Sequence, residues 1–218
     1  MPAFSGQAWR KHFLHNTVPK TSTPSAYLVN NFSGGTQGTT ITAGNSGGLS
    51  GNAFDTVTLG SGSTLAYDNT YNGNNNYSAR ISSATNHTTY GSWSSSITDG
   101  TVNQLWYRLY VYLTNYCSSG STIEIISVVG ACSVYLSNIG ALTVNNASGS
   151  TVGSASASIP LNSWVRIEGT VTGRLSTGQL SMSLYLNPDS IIPASTISSS
   201  STNTGGGLTA AEFGILGE

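Results

Sequence analysis

The chain has 218 residues; 26 Gly, 36 Ser, 27 Thr and 19 Asn make up half of it, charged residues only 7%, and the formal net charge is -1. Seven basic residues leave no electrostatic footprint for nucleic acid and no polybasic patch for a membrane surface, and no run reaches the roughly 18 apolar residues of a membrane helix. A hydrophobic share of 38% with 9% aromatics is enough to build a core and argues against disorder.

Residues 1–25 read as an arm with apolar anchors, Phe4, Trp9, Phe13 and Leu14. Trp9 and Phe13, four apart, fall on one face of a short helix. A helix this short is marginal alone in water, so the arm either folds back on its own domain or docks on another protein. Pro19 and Pro24 then bracket an extended link. Arg10 and Lys11 follow Phe4 and Trp9, and no apolar stretch of signal length comes after them. The pattern is not a secretion signal, and it predicts either synthesis in a cytoplasm or a chain expressed without its signal.

From Ala26 to Glu218 the pattern is all-β. AYLVNNF, TTITA, FDTVTL, TLAY and YSARI are short runs of β-branched and aromatic residues, separated by Gly, Asn and Ser clusters. TYGSWSSS, which carries Tyr90 and Trp93, reads as a loop. The strongest strand is 105–113, LWYRLYVYL. Alternation sends Leu105, Tyr107, Leu109, Val111 and Leu113 to one face and Trp106, Arg108, Tyr110 and Tyr112 to the other. TIEIISVVG, CSVYLSN and ALTVNNA follow. In WVRIEGTVTG, Val165, Ile167 and Val171 point inward with Gly169 among them, opposite Trp164, Arg166, Glu168 and Thr170. LSMSLYL places Leu180, Met182, Leu184 and Leu186 on the inner face, and LTAAEFGILG is the last strand. With 11 to 13 strands and no amphipathic helix expected after residue 26, an antiparallel sandwich is the natural arrangement. Trp106 and Trp164 are expected to pack between its sheets or beneath a loop.

Catalytic patterns are absent from the sequence. A glycoside hydrolase needs two carboxylates about 5–9.5 Å apart, whereas the acidic residues here are scattered singly. Glu168, two residues from Arg166 on one strand face, reads as a charge pair on a sheet surface. Elimination chemistry on an acidic polysaccharide would want a base beside Arg and Gln, but Tyr107 and Arg108 point to opposite faces. His12 and His15 lack further metal ligands, and His87 reads as a loop residue. Cys117 and Cys132 are either bridged, closing a loop of about 15 residues worth roughly 3 kcal/mol, or two thiols on adjacent strands.

The succession FSGGTQGTTITAGNSGGLSGNAFDTV, SARI, LWYRLYVYL, SNIGALTV, IPLNSWVRIEGTVTG and LSMSLYL resembles the laminin-G-like, concanavalin-type jelly roll. It is similar in particular to versions in secreted actinobacterial proteins and in minor tail proteins and other virion proteins of their phages, with the W-V-R-I-E strand its most specific part. The resemblance covers residues 28–216. It implies two stacked, curved sheets with a concave face that binds carbohydrate in many relatives, and a virion location on a phage tail or capsid surface. Such domains usually continue past a segment like AEFGILG into a closing strand. Either LTAAEFGILG is already that strand, or the chain is cut short, or a neighbour supplies the edge.

The fold of these relatives often holds one structural Ca²⁺. Asp68 and Asn69 with residues 71–76 offer hard oxygen ligands, against the alternative of an Asn-Gly-rich turn satisfying its own backbone; no other cofactor is expected. For glycan binding, Tyr90 and Trp93, with Tyr71 and Tyr77, provide rings amid Asn and Ser. The expected function is therefore that of a non-enzymatic phage minor tail protein. Its arm docks on other virion proteins, and its jelly roll adheres to host envelope polysaccharide. Capsid decoration, a cell-surface carbohydrate-binding module, and a polysaccharide lyase or glycoside hydrolase are the alternatives. A homo-oligomer, trimer or larger ring, is expected only by analogy with virion symmetry.

Overall fold

A computed structural model describes residues 28–71, 77–84, 86–94, 104–172 and 177–217. Strands β1 (Thr56–Leu59), β2 (Thr64–Asp68), β3 (Ser78–Ser82) and β4 (Thr89–Trp93) come first, followed by the nine-residue β5 (Gln104–Tyr112). Two runs of consecutive hairpins follow. One is β6 (Thr122–Val129), β7 (Cys132–Ser137), β8 (Ala141–Asn146) and β9 (Thr151–Ser158). The other is β10 (Trp164–Thr172), β11 (Gly178–Tyr185) and β12 (Ser195–Thr202), and β13 (Ala210–Gly217) ends the series. No α-helix occurs among the described residues.

Seven strands form one sheet in the order β1-β4-β13-β6-β7-β8-β9, four form a second in the order β12-β11-β10-β5, and β2 pairs with β3. Every pairing between these strands is antiparallel. Ile126, Val128, Val134, Leu136, Leu142 and Val144 from the larger sheet share one buried cluster with Tyr107, Val165, Ile167, Val171, Leu180, Met182 and Leu184 from the smaller. Each such aliphatic side chain contributes about 1.5–3 kcal/mol on leaving water, and facing sheets are how amphipathic strands collect it. A satellite cluster of Ile41, Leu65 and Tyr67 lies under the β2–β3 hairpin.

The predicted inner faces of β5, β10 and β11 are the observed ones: Leu105, Leu109 and Val111 pack on the main cluster beside buried Tyr107. Leu186 departs from the expectation. It lies beyond the end of β11 and is exposed, because the chain turns away after Tyr185. LTAAEFGILG forms a strand: β13 sits inside the larger sheet between β4 and β6.

Neither the described part of AYLVNNF (residues 28–32) nor TTITA forms a strand. Each contributes one isolated bridge, Asn30 to Gly51 and Thr40 to Ala66. The Asn30 side chain instead donates to the Ser46 and Asn52 carbonyls, and Phe32 takes φ 59°. On either side of Ile41, turns at Thr36–Thr39 and Thr42–Ser46 leave no room for a longer ladder.

The two cysteines are unbridged thiols. Cys117 Sγ donates to Ser121 O at 3.3 Å and lies 3.9 Å from Leu136 O. Cys132 is four residues from Leu136 along β7, about 13 Å at strand spacing, whereas a disulfide needs Cα atoms within about 7 Å. Burial, with Glu124 adding to it, pushes the Cys132 thiol up to about 12.

Candidate functional site

The outer face of the four-stranded sheet carries the half of β5 and β10 that alternation turns away from the core. Register builds it row by row. Tyr112 faces Trp164, Tyr110 faces Arg166, Arg108 faces Glu168 and Trp106 faces Thr170. On the far side of β10, Tyr185, Ser183 and Ser181 extend the last three rows.

At one end of this face three rings meet. Tyr71 stacks on Tyr112 at 4.9 Å, and Tyr112 lies 5.5 Å from Trp164 at a 56° tilt. In the centre, Glu168 Oε1 is shared by two guanidinium groups, Arg108 through Nη2 and Arg166 through Nε at 3.2 Å. Both arginine side chains are almost entirely covered, while Glu168 retains partial access. The Arg166 guanidinium also lies 3.9 Å above the Tyr185 ring and donates to the Pro188 and Ser190 carbonyls. Toward the other end Trp106 is 63% exposed. Its strand neighbours across the sheet are the small side chains Thr170 and Ser181, and Gln104 Nε2 donates to Thr170 Oγ1 at 3.4 Å.

This arrangement can hold a flat, hydroxyl-rich ligand. An aromatic ring presents an apolar face of fixed geometry, and hydroxyl and amide groups surround it. Trp106, expected in the core, is thus the most exposed ring of the sheet face. Alternation with Tyr107 already placed it on the outer side, and that was the signal available in the sequence. The Arg166–Glu168 pair is present as expected. Arg108, some 60 residues earlier in the chain, joins it through a strand register that spacing does not encode.

The rings nominated from sequence are placed otherwise. Trp93 belongs to β4 rather than to a loop, half-buried between Phe54 at 4.7 Å and Phe213 at 5.9 Å, with Nε1 donating to Ala53 O. It is a packing residue and not an open platform. Tyr77 is half-buried, edge-on to Tyr67 at 6.5 Å, and Tyr90 is half-buried in β4. Of the four, Tyr71 alone joins the ring group on the sheet face. Residues 72–76 of the Asn-rich turn, and the arm with Phe4, Trp9, Phe13 and Leu14, lie outside the described residues.

The Ca²⁺ expectation at Asp68 is not supported by its surroundings. Oδ1 accepts from Thr70 N at 2.6 Å and Oδ2 pairs with Arg80 Nη1 at 3.3 Å. Desolvation by burial works to raise this carboxyl, and the Thr70 and Arg80 hydrogen bonds outweigh it and hold it below its ordinary value. Among the described residues no group of three or more His, Cys, Asp or Glu side chains is placed to hold a metal ion.

On the larger sheet, burial and then the neighbouring Glu124 raise the Glu212 carboxyl above its ordinary value. Since the folded state holds that proton more tightly than the unfolded chain, ionisation opposes folding once pH exceeds the unfolded pKa near 4.3. Glu212→Gln is therefore expected to melt slightly higher than the wild type at pH 7, with the gap closing below about pH 4. Thermal melts across pH 3–8 check this; a gap that widens toward acid would contradict it.

Compared with known proteins, the chain matches no family model, no curated protein and no solved structure.

Proposed function

We propose that this chain is a non-enzymatic structural protein of a phage virion, a minor tail protein of jelly-roll type, that adheres to host-surface glycan through the outer face of its four-stranded sheet. The observation that carries the adhesion reading is Trp106, 63% exposed on a regular strand and bordered by Thr170 and Ser181. An open ring amid hydroxyls offers an apolar face of fixed geometry to a sugar's C–H groups. The Arg108–Glu168–Arg166 group beside it carries one net positive charge, which suits neutral or mildly acidic polysaccharide. The virion assignment is supported by the sequence resemblance of residues 28–216; residues 1–25, which lie outside that resemblance, are read as the docking arm.

The test is binding of the purified chain to intact actinobacterial cells and to isolated envelope polysaccharide. Saturable binding that a defined sugar displaces is expected, equal with and without Ca²⁺. Trp106→Ala is expected to weaken it by about tenfold or more, the equivalent of about 1.4 kcal/mol, with an unchanged melting temperature because the ring is already in water. Unaltered affinity of Trp106→Ala would remove this face from consideration. Release of oligosaccharides by a pure sample would move the chain to the lyase or hydrolase reading.

A further inference from the structure

The described sandwich is chemically different at its two ends. At one end lie Gly130, the 146–150 turn and the start of β13, and there the chain enters. Asn52 N donates to Val29 O, Trp93 Nε1 donates to Ala53 O, and Trp93 stands opposite Ala211, itself opposite Val128. The other end is where β5 and β7 finish and β10 begins. Leu113 bridges to Leu161, Ile159 N donates to Gly140 O, and the β11–β12 loop leaves from the same end, since Tyr185 pairs with Arg166. Seven large hydrophobic side chains are exposed among the described residues, and four of them sit in the β7–β8 and β11–β12 connections at this far end: Ile139, Leu186, Ile191 (87%) and Ile192 (74%).

The loop carrying three of the four is held in shape. Arg166, 6% exposed, donates to the Pro188 and Ser190 carbonyls. Ser190 Oγ donates to Ile192 O at 2.8 Å and accepts from Ile192 N at 3.1 Å. Two isoleucines are thus displayed on a braced turn, and a pre-organised surface loses less entropy on binding than a mobile one.

Charge identifies what fits. The described residues include six carboxylates, Asp55, Asp68, Glu124, Glu168, Asp189 and Glu212, against three arginines, Arg80, Arg108 and Arg166. Asp189 stands in the apolar loop itself and Glu124 near the start of β6. Residues 1–27 are the converse: Arg10, Lys11 and Lys20 with no acidic residue, interleaved with Phe4, Trp9, Phe13 and Leu14. A cationic, apolar segment and an apolar end with a carboxylate in it are complementary in both respects.

We propose that the far end of the sandwich is the docking surface for residues 1–25 of a second copy of this chain, so that copies join head to tail. The inference rests on reading residues 1–25 as a docking arm and names its partner. The arm precedes Leu28 at the near end, about 23 Å along β6 from Ile139 at strand spacing. A contact from near end to far end is heterologous, and repeated it gives a ring or a filament.

Sedimentation equilibrium of the full chain over a hundredfold concentration range tests this. The wild type is expected to rise in mass with concentration, and Ile191→Asp/Ile192→Asp and Trp9→Asp/Phe13→Asp are each expected to stay monomeric. Mixed, the two variants retain one intact arm and one intact end between them, so a 1:1 dimer that grows no further is expected. A variant that misfolds is recognised by its melt, and the other still reports through loss of assembly. A wild type that is monomeric throughout, or an Ile191→Asp/Ile192→Asp chain that assembles normally, would overturn the proposal. If the wild type is monomeric, a lowered melting temperature of Trp9→Asp/Phe13→Asp shows the arm packed on its own sandwich, and the arm reading fails too. An unchanged one leaves that reading standing with a different partner. Glycan binding through Trp106 is measured separately in every variant and does not depend on mass.

Discussion

Gly169→Ala is expected to destabilise the sandwich by about 3 kcal/mol or more, at or above the upper end of the usual range for overpacking a core. Gly169 lies on the inner face of β10 directly opposite Tyr107 of β5. A Cβ added there would stand 2.2 Å from Tyr107 Cζ and 2.3 Å from its hydroxyl. The obstruction is a rigid ring, 5% exposed and enclosed by the core, so it has no flexible end to swing aside. The glycine that interrupts the Val165, Ile167, Val171 series is therefore the socket of an aromatic side chain.

That explanation separates itself from a general intolerance of substitution in a central strand. Shortening the ring should relieve the clash, so Gly169→Ala/Tyr107→Leu should lose clearly less stability than the two single changes summed, with a coupling of about 1–3 kcal/mol. The Tyr107 hydroxyl is buried without a hydrogen-bond partner among the described residues, and burial, then Cys132, raises it well above its ordinary value. Tyr107→Phe, which keeps the ring on the glycine and removes the unpaired hydroxyl, should match or exceed the wild type by up to about 1 kcal/mol. Urea denaturation of the four variants measures all three terms. Additive losses in the double variant would mean that the ring is not what Gly169 accommodates.

The sequence made the sheet faces readable where side-chain volume alternates. In β5, β10 and β11, Leu, Val, Ile and Met recur every second residue, and period 2 alone decides what is buried. β9 (TVGSASAS) and β12 (STISSSST) pass unrecognised because Ser and Ala carry little β-preference. Yet from Ser154 onward β9 alternates exposed Ser with half-buried Ala, a faint form of the same signal. Trp93 and Trp106 show the other limit. Trp93 is hidden by Phe54 and Phe213, about 40 and 120 residues away in the chain, and local pattern carries no trace of such partners. Trp106 lies on the face that alternation assigns to it, and the expectation that a large ring must be covered outweighed that assignment. The outer face of the four-stranded sheet was thus half legible: which side chains point outward could be read, and which rows they share could not.

Arg166→Met is expected to cost about 3 kcal/mol and to loosen the Leu186–Pro193 turn selectively. The guanidinium answers two loop carbonyls, Pro188 O and Ser190 O, and lies against Glu168 while only 6% exposed. A methionine of similar length refills the volume but leaves those carbonyls to find water and Glu168 with Arg108 alone. Removing one member of a buried pair costs about 3–5 kcal/mol; the lower figure applies because Glu168 keeps a second arginine and some solvent. Arg166→Lys should recover less than half of the loss, since an ammonium on a flexible stem cannot reach two carbonyls and a carboxylate in one plane as the fork does. Hydrogen exchange distinguishes this from uniform weakening: amides of the 186–193 segment should exchange faster than those of β10 and β11 under native conditions. Because the same turn displays Ile191 and Ile192, Arg166→Met should also lower the apparent association constant between copies without altering either isoleucine. An Arg166→Met protein within about 1 kcal/mol of the wild type, with an unchanged exchange pattern, would show that the turn holds its shape unaided.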